Sequence, residues 1–346
     1  MENNSGIAVN GSQRIGYIDA LRRFTMFLVV LMHVATVCWG IVGKGISIHD
    51  YLHQVRMPLF FFISGFVLYK EGVEWNTQHI VRFFKKKIPV QLLGPFIFFA
   101  VFLHLNGISL ADGLMDKYKS GYWFTLVLLE FFFIYAAVRF CVRNRWYKAI
   151  LLVIGCVLYY CCWPDMTTGH HTLDNLCLLL SVNQWRFFIF FVIGTLVRAH
   201  YATIEHWLAS KWLLAVCITF YLLVNALSDV LPVKEIPLRG LLSLTGLVIV
   251  FAFFHNKQDL FSQTTRMGRT MQYVGRRTLD IYLIHFFLIP KNLSFITVFT
   301  DHPMPIIEAT VSSLIALLIM AASLLISNII RLSPWLARWL FGAKKA

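Results

Sequence analysis

Apolar runs close to the length of a bilayer crossing recur from end to end of this 346-residue chain, and no other feature constrains its fold so tightly. They fall near residues 21–40, 57–69, 88–105, 122–140, 148–163, 186–200, 211–229, 238–254, 279–298 and 307–330. A hydrocarbon core about 30 Å thick takes roughly 20 helical residues to cross. The runs therefore predict an all-α integral membrane protein of about ten transmembrane helices. The second is short, and its helix is expected to begin earlier, near Tyr51, as an interfacial segment. No internal repeat and no second domain is visible. Residues 1–346 read as a single membrane domain with a tail over 1–16 and another over 332–346.

Composition agrees. Hydrophobic residues make up 58% and charged residues 14%, against about 45–50% and about 25% in soluble domains. A soluble fold needs more polar side chains than this to cover its surface. The net charge of +14 would suggest nucleic acid in a soluble protein. In a membrane protein it reads as the basic bias of cytoplasmic loops, so no nucleic-acid partner is expected. With the N-terminus inside and ten alternating helices, 23 of the 31 Lys and Arg residues fall inside. That split predicts two cytoplasmic termini. The seven cysteines form no paired C-x-x-C frame, and no H-E-x-x-H spacing occurs, so no metal is expected. The polar N-terminal residues predict no cleavable signal peptide.

A charged group at membrane depth costs at least ~2.5–3.5 kcal/mol, so its position needs a reason. In Tyr17-Ile18-Asp19-Ala20-Leu21-Arg22, followed by His33, eleven helical steps separate Arg22 from His33. At about 100° per step they return to within ~20° of one face, with a rise of roughly 16 Å. Arg22 then marks one mouth of the helix, Asp19 lies beside it, and His33 sits deep on the same stripe. A neutral imidazole there can accept a proton from a hydroxyl. The competing reading is a packing histidine and a merely topogenic arginine.

Further along, Ser64 and Gly65 interrupt the aromatic run 57–66 and permit close helix approach. Arg82, Lys85, Lys86 and Lys87 crowd the start of the third apolar run, where they could grip a polyphosphate or serve topology alone. Trp123 opens the fourth run, and Glu130 lies midway through it, positioned to pair with a His or Arg of another helix. Asp280, Tyr282 and His285 stand at the start of the ninth run; Asp280 and His285 read either as a polar pair lining one cavity or with His285 as a packing residue.

Taken together, Y-I-D-A-L-R at 17–22 with His33, M-P-L-F-F-F-I-S-G-F at 57–66, G-Y-W-F at 121–124 and G-R-R-T-L-D-I-Y-L-I-H at 275–285 resemble the acyltransferase-three family, the multi-pass O-acyltransferases of bacterial surface glycans. The resemblance implies a ten-helix fold in the inner membrane and an acyl-CoA donor, most commonly acetyl-CoA, entering from the cytoplasm. It also implies transfer to a hydroxyl of a cell-surface or lipid-linked glycan, with no bound cofactor. Carried onto this chain, it makes His33 the catalytic base and Arg22, with Asp19, its partner. Arg82, Lys85 and Lys86 become the acyl-CoA site, and Ser64, Trp123, Glu130, Tyr282 and His285 supporting residues. Lysines stand where a second arginine is common in the family, and Lys binds phosphate as a point charge rather than a fork. The alternative is a proton-coupled transporter or glycan exporter that relays protons through intramembrane His, Asp and Glu.

Overall fold

A computed structural model describes residues 15–41, 47–163, 169–227, 231, 235–291 and 298–343. The tail residues 1–14 and 344–346, with Arg14, Lys44, Lys234, Lys344 and Lys345 of the charge count, lie outside the described residues. Among the described residues the protein is helical and has no strand. In chain order the helices are α1 (Gly16–Val34), α2 (His49–Leu68), α3 (Thr77–Ile88), α4 (Gly94–Leu105), α5 (Leu110–Met115), α6 (Trp123–Cys141), α7 (Tyr147–Cys161), α8 (His171–Leu179) and α9 (Phe188–Ala199). They continue with α10 (Tyr201–Leu208), α11 (Lys211–Ala226), α12 (Ile236–Asn256), α13 (Arg266–Gly275), α14 (Thr278–Ile284), α15 (Val298–Asp301), α16 (Pro305–Ile330) and α17 (Pro334–Phe341).

Six helical segments are long and apolar enough to cross a membrane among the described residues: Gly16–Trp39, His49–Leu68, Thr77–Leu105, Trp123–Cys141, Ile236–Asn256 and Pro305–Ile330. Two bent pairs raise the number to eight, with α8 meeting Val182–Ala199 at 54° and α10 meeting α11 at 71°. The expected ten is therefore not reached by length. The fifth and ninth apolar runs form helices too short for the test, Tyr147–Cys161 and Thr278–Phe287. At ~1.5 Å per residue, the 15 residues of α7 span only about 23 Å. The ninth run was expected to stay helical to 298. It instead tightens into a 3₁₀ turn at His285–Phe287, and Pro290, which cannot supply a backbone donor, follows. The second span begins at His49, just before the start expected near Tyr51.

Polar residues set several ends. Asn76 caps α3 by accepting from the His79 N–H at 2.9 Å, so this helix starts eleven residues before its apolar run. Ser210, Thr265 and Ser333 cap α11, α13 and α17 in the same way. Two π-helical turns interrupt the spans, at Ala35–Trp39 immediately after α1 and at Pro89–Leu93 between α3 and α4. Such turns are frequent at functional sites.

The core joins α1, α2, α6, α9, α12, α14 and α16 through aromatic and aliphatic side chains. Within it, α2 and α9 pack backbone against backbone. A Cβ on Gly65 would lie 1.9 Å from the Phe191 carbonyl oxygen, and one on Gly194 would lie 2.1 Å from that of Phe62. Only hydrogen fits at either position, so the backbones touch. Gly65, not Ser64, makes the close approach: Ser64 spends its hydroxyl on the Phe60 carbonyl of its own helix at 2.9 Å.

Candidate active site

The core brings α14 against α1. The imidazoles of His33 and His285 lie 5.4 Å apart between ring centroids, and the Phe286 ring is 4.8 Å from His33. His285 is fully buried, whereas His33 is half-buried. The Nδ1 atom of His285 donates to the carbonyls of Tyr282 at 2.8 Å and Ile281 at 3.0 Å. A carbonyl can only accept, so Nδ1 carries the hydrogen and Nε2 holds a bare lone pair. That Nε2 has no hydrogen-bond partner among the described residues. Most buried polar atoms in native proteins have a partner.

A reciprocal pair of bonds sets the position of α14. Tyr282 donates to the Gly121 carbonyl at 2.9 Å, and Tyr122 donates to the Leu283 carbonyl at 2.9 Å. Each bond is worth about 0.5–1.5 kcal/mol. The G-Y-W-F and D-I-Y-L-I-H segments, 161 residues apart in sequence, are thereby clasped face to face. Trp123 lies beside this clasp in the aromatic core, 6.1 Å from both Phe61 and Phe187.

At the other end of α1, Arg22 donates to Asp19 at 3.4 Å, as the spacing suggested. Asp19 is held because Gly275 presses on it: a Cβ there would sit 1.8 Å from the Asp19 carbonyl oxygen. The basic segment 82–87 divides. Arg82, Lys85 and Lys86 are exposed. Lys87 turns inward over the rings of Phe132 and Phe83, at 5.0 and 5.7 Å, within electrostatic reach of Arg22 and Lys70. The sequence places Lys87 in the basic cluster but names only Arg82, Lys85 and Lys86 as acyl-CoA residues. The signal available was its place at the last turn of α3, facing the aromatic side.

Two expected partnerships do not form. Asp280 does not line a cavity with His285. It accepts through both oxygens from Arg331, the C-cap of α16, at 2.8 and 3.0 Å, and from Ser327. Glu130 pairs with no His or Arg among the described residues, but accepts from the Trp185 indole at 2.8 Å. A carboxylate inside the bundle took the nearest donor on the helix that packs beside it, and sequence periodicity does not name that helix. A further polar cluster was not anticipated. Glu308 of α16 is buried, accepts from Ser47 and Ser312 at 2.8 and 2.7 Å, and lies 3.0 Å from the His49 Nε2. Trp39 donates to Ser312 at 2.8 Å, so this cluster ties the far end of α1 to α2 and α16. No group of three or more His, Cys, Asp or Glu residues able to hold a metal occurs among the described residues.

The helical bundle thus holds a pair of imidazoles at one end of α1 and clustered cations at the other. A family model described as an acyltransferase domain, that of the acyltransferase-three family, matches residues 15–332. The chain belongs to this family and is a multi-pass membrane acyltransferase. No curated protein and no solved structure matches it.

Proposed function

We propose that the protein moves an acyl group, acetyl by preference, from cytoplasmic acyl-CoA to a hydroxyl of a cell-surface or lipid-linked glycan at the inner membrane. One observation carries the reading: His33 stands half-buried beside a second imidazole whose lone pair is fixed and unused.

Sugar hydroxyls are weak nucleophiles at neutral pH, and a positioned base contributes typically 10²–10⁴-fold. His33 takes the hydroxyl proton as the oxygen attacks the thioester carbonyl. The C–S bond breaks, the CoA thiolate leaves, and the proton on His33 passes to sulfur. Once His33 is protonated, the bare Nε2 of His285 is the neighbouring acceptor that steadies the imidazolium without adding a charge. Arg22 and Lys87 receive the CoA phosphates at the mouth, with Arg82, Lys85 and Lys86 at its rim. The rise of roughly 16 Å from Arg22 to His33 separates phosphates from thioester. Transport by proton relay is disfavoured because Asp280 is held by Arg331, and Glu130 accepts from Trp185 through one oxygen, with neither carboxylate bonded to the histidines among the described residues.

The test uses purified protein and radiolabelled acetyl-CoA. His33→Gln keeps size and hydrogen bonding but cannot hold the transferred proton. It should lose about 10²–10⁴-fold in turnover while acetyl-CoA binding and thermal stability stay near wild type. A fully active, normally stable His33→Gln protein removes His33 from the mechanism.

A further inference from the structure

The end of the bundle away from Arg22 holds a second cationic site. Arg56 lies in the second turn of α2. Arg186 belongs to the 3₁₀ turn Val182–Phe187 that leads into α9, and Arg239 to the first turn of α12. The three helices start at the same end: Ser243 of α12 donates to the Gln54 carbonyl of α2 at 2.8 Å, and the Phe61 and Phe187 rings of α2 and the α9 lead-in stack at 5.5 Å. The Trp163 indole is gripped by both outer arginines, with Arg186 and Arg239 each 5.3 Å from its centroid. Trp163 is itself fixed by donating to the Tyr159 carbonyl at 2.6 Å, and Tyr159 donates to the Ile236 carbonyl at 2.9 Å. His53 lies within electrostatic reach of all three arginines, and Arg56 within reach of His33. None of the three arginines forms an ion pair with a carboxylate among the described residues.

The same place gathers unsatisfied polar atoms. Eleven buried side-chain N and O atoms lack a partner among the described residues, and seven of them belong to Gln54, Arg56, Ser181, Asn183 and Gln184. Ser181 and Gln184 are 0% and 1% exposed. Native proteins leave few such atoms, so their concentration beside three arginines marks a place built for a polar occupant. Guanidinium forks match carboxylate and phosphate oxygens bidentately. Position adds a further reason: these arginines belong to the basic minority that the charge pattern assigns to the outer face, where topology gives cations no role.

We infer that Arg56, Arg186 and Arg239, around Trp163 and the amides of Asn183 and Gln184, bind an oxyanion of the acyl acceptor. The acceptor is therefore acidic, through a sugar carboxylate or a lipid-linked diphosphate, and reaches the histidines from the end opposite the donor. The occupant's identity as acceptor rests on the acyl-transfer reading; the anion site itself does not.

Purified full-length protein is titrated with oligogalacturonate, with undecaprenyl diphosphate and with a neutral maltooligosaccharide. Acetyl-CoA binding is measured on the same samples. At least one anionic probe should bind, the neutral one should not, and affinity should fall as salt rises. The Arg186→Gln/Arg239→Gln variant should weaken that probe tenfold or more and leave acetyl-CoA affinity within twofold, which also reports a folded protein. The Arg186→Lys/Arg239→Lys variant keeps charge without the fork and should fall between. Which anion binds separates the carboxylate from the diphosphate. Failure of both to bind, binding indifferent to the arginines, or loss of acetyl-CoA binding in the Gln variant overturns the inference. Anion binding that survives in a protein with no transfer to any acceptor overturns the enzymatic reading and leaves the anion site standing.

Discussion

Replacing Asp280 alone with leucine should damage the protein severely, and replacing Asp280 and Arg331 together should not. Asp280 is 1% exposed, and Arg331 grips both of its oxygens, with Ser327 as a third donor. Asp280→Leu strands a partly buried guanidinium and a buried hydroxyl. Breaking a buried pair by removing one partner costs about 3–5 kcal/mol. Arg331 retains some access to water, its side chain being 22% exposed, which argues for the lower part of that range. The Ser327 hydroxyl can still turn to its own helix backbone, as Ser323 does toward the Ile319 carbonyl at 2.8 Å. Asp280→Leu/Arg331→Met removes both charges and fills the volume with apolar atoms, so most of the loss should return. Buried pairs replaced this way are often neutral or even stabilising. Thermal unfolding of the purified variants reads the stability, and acetyl transfer on the same samples reads the function. The double variant should be stable and retain most of its turnover, because Asp280 touches neither histidine. A double variant no more stable than Asp280→Leu would refute the pairing argument. One that is stable but inactive would put Asp280 back into the chemistry, where the proton-relay reading has it.

Lys87→Gln should raise the apparent KM for acyl-CoA several-fold, more than Lys86→Gln does, because Lys87 turns inward within reach of Arg22 while Lys86 is exposed; equal effects would return the donor site to the exposed rim. Reporter fusions after Ala346 and within 163–185 should report cytoplasmic and external locations respectively, and an external C-terminus would reverse the proposed entry sides of donor and acceptor. Burial pushes the Lys119 ammonium, which donates to the Leu114 and Leu178 carbonyls at 2.6 and 2.7 Å, down to about 8. Between that value and the ordinary ~10.4, the unfolded chain holds a proton that the folded chain lacks, so this group's contribution to stability rises with pH across that window. The thermal stability of wild type should therefore gain on Lys119→Met as pH goes from about 8 to 10, and parallel curves would refute the assignment.

The residues alone determined whatever depends on near neighbours in the chain. Apolar runs of spanning length demand helices in lipid, so the all-α membrane class was legible. Helical periodicity put Arg22 and His33 on one stripe and Asp19 beside Arg22, and the short order of motifs carried the family. Tertiary structure decided what depends on which helices lie side by side. Asp280 could equally have faced His285, and only the packing of α14 on α16 gave it Arg331. Nothing around residue 33 announces a histidine 252 positions away with a lone pair to spare. The inward turn of Lys87 and the meeting of Arg56, Arg186 and Arg239 around Trp163 have the same origin. Hydrophobicity specifies how deep a segment runs, but lipid is as apolar as a neighbouring helix, so it does not say which neighbour a segment chooses. That choice falls to small residues and polar contacts between distant parts of the chain, such as Gly65 against Phe191 and Tyr122 against Leu283.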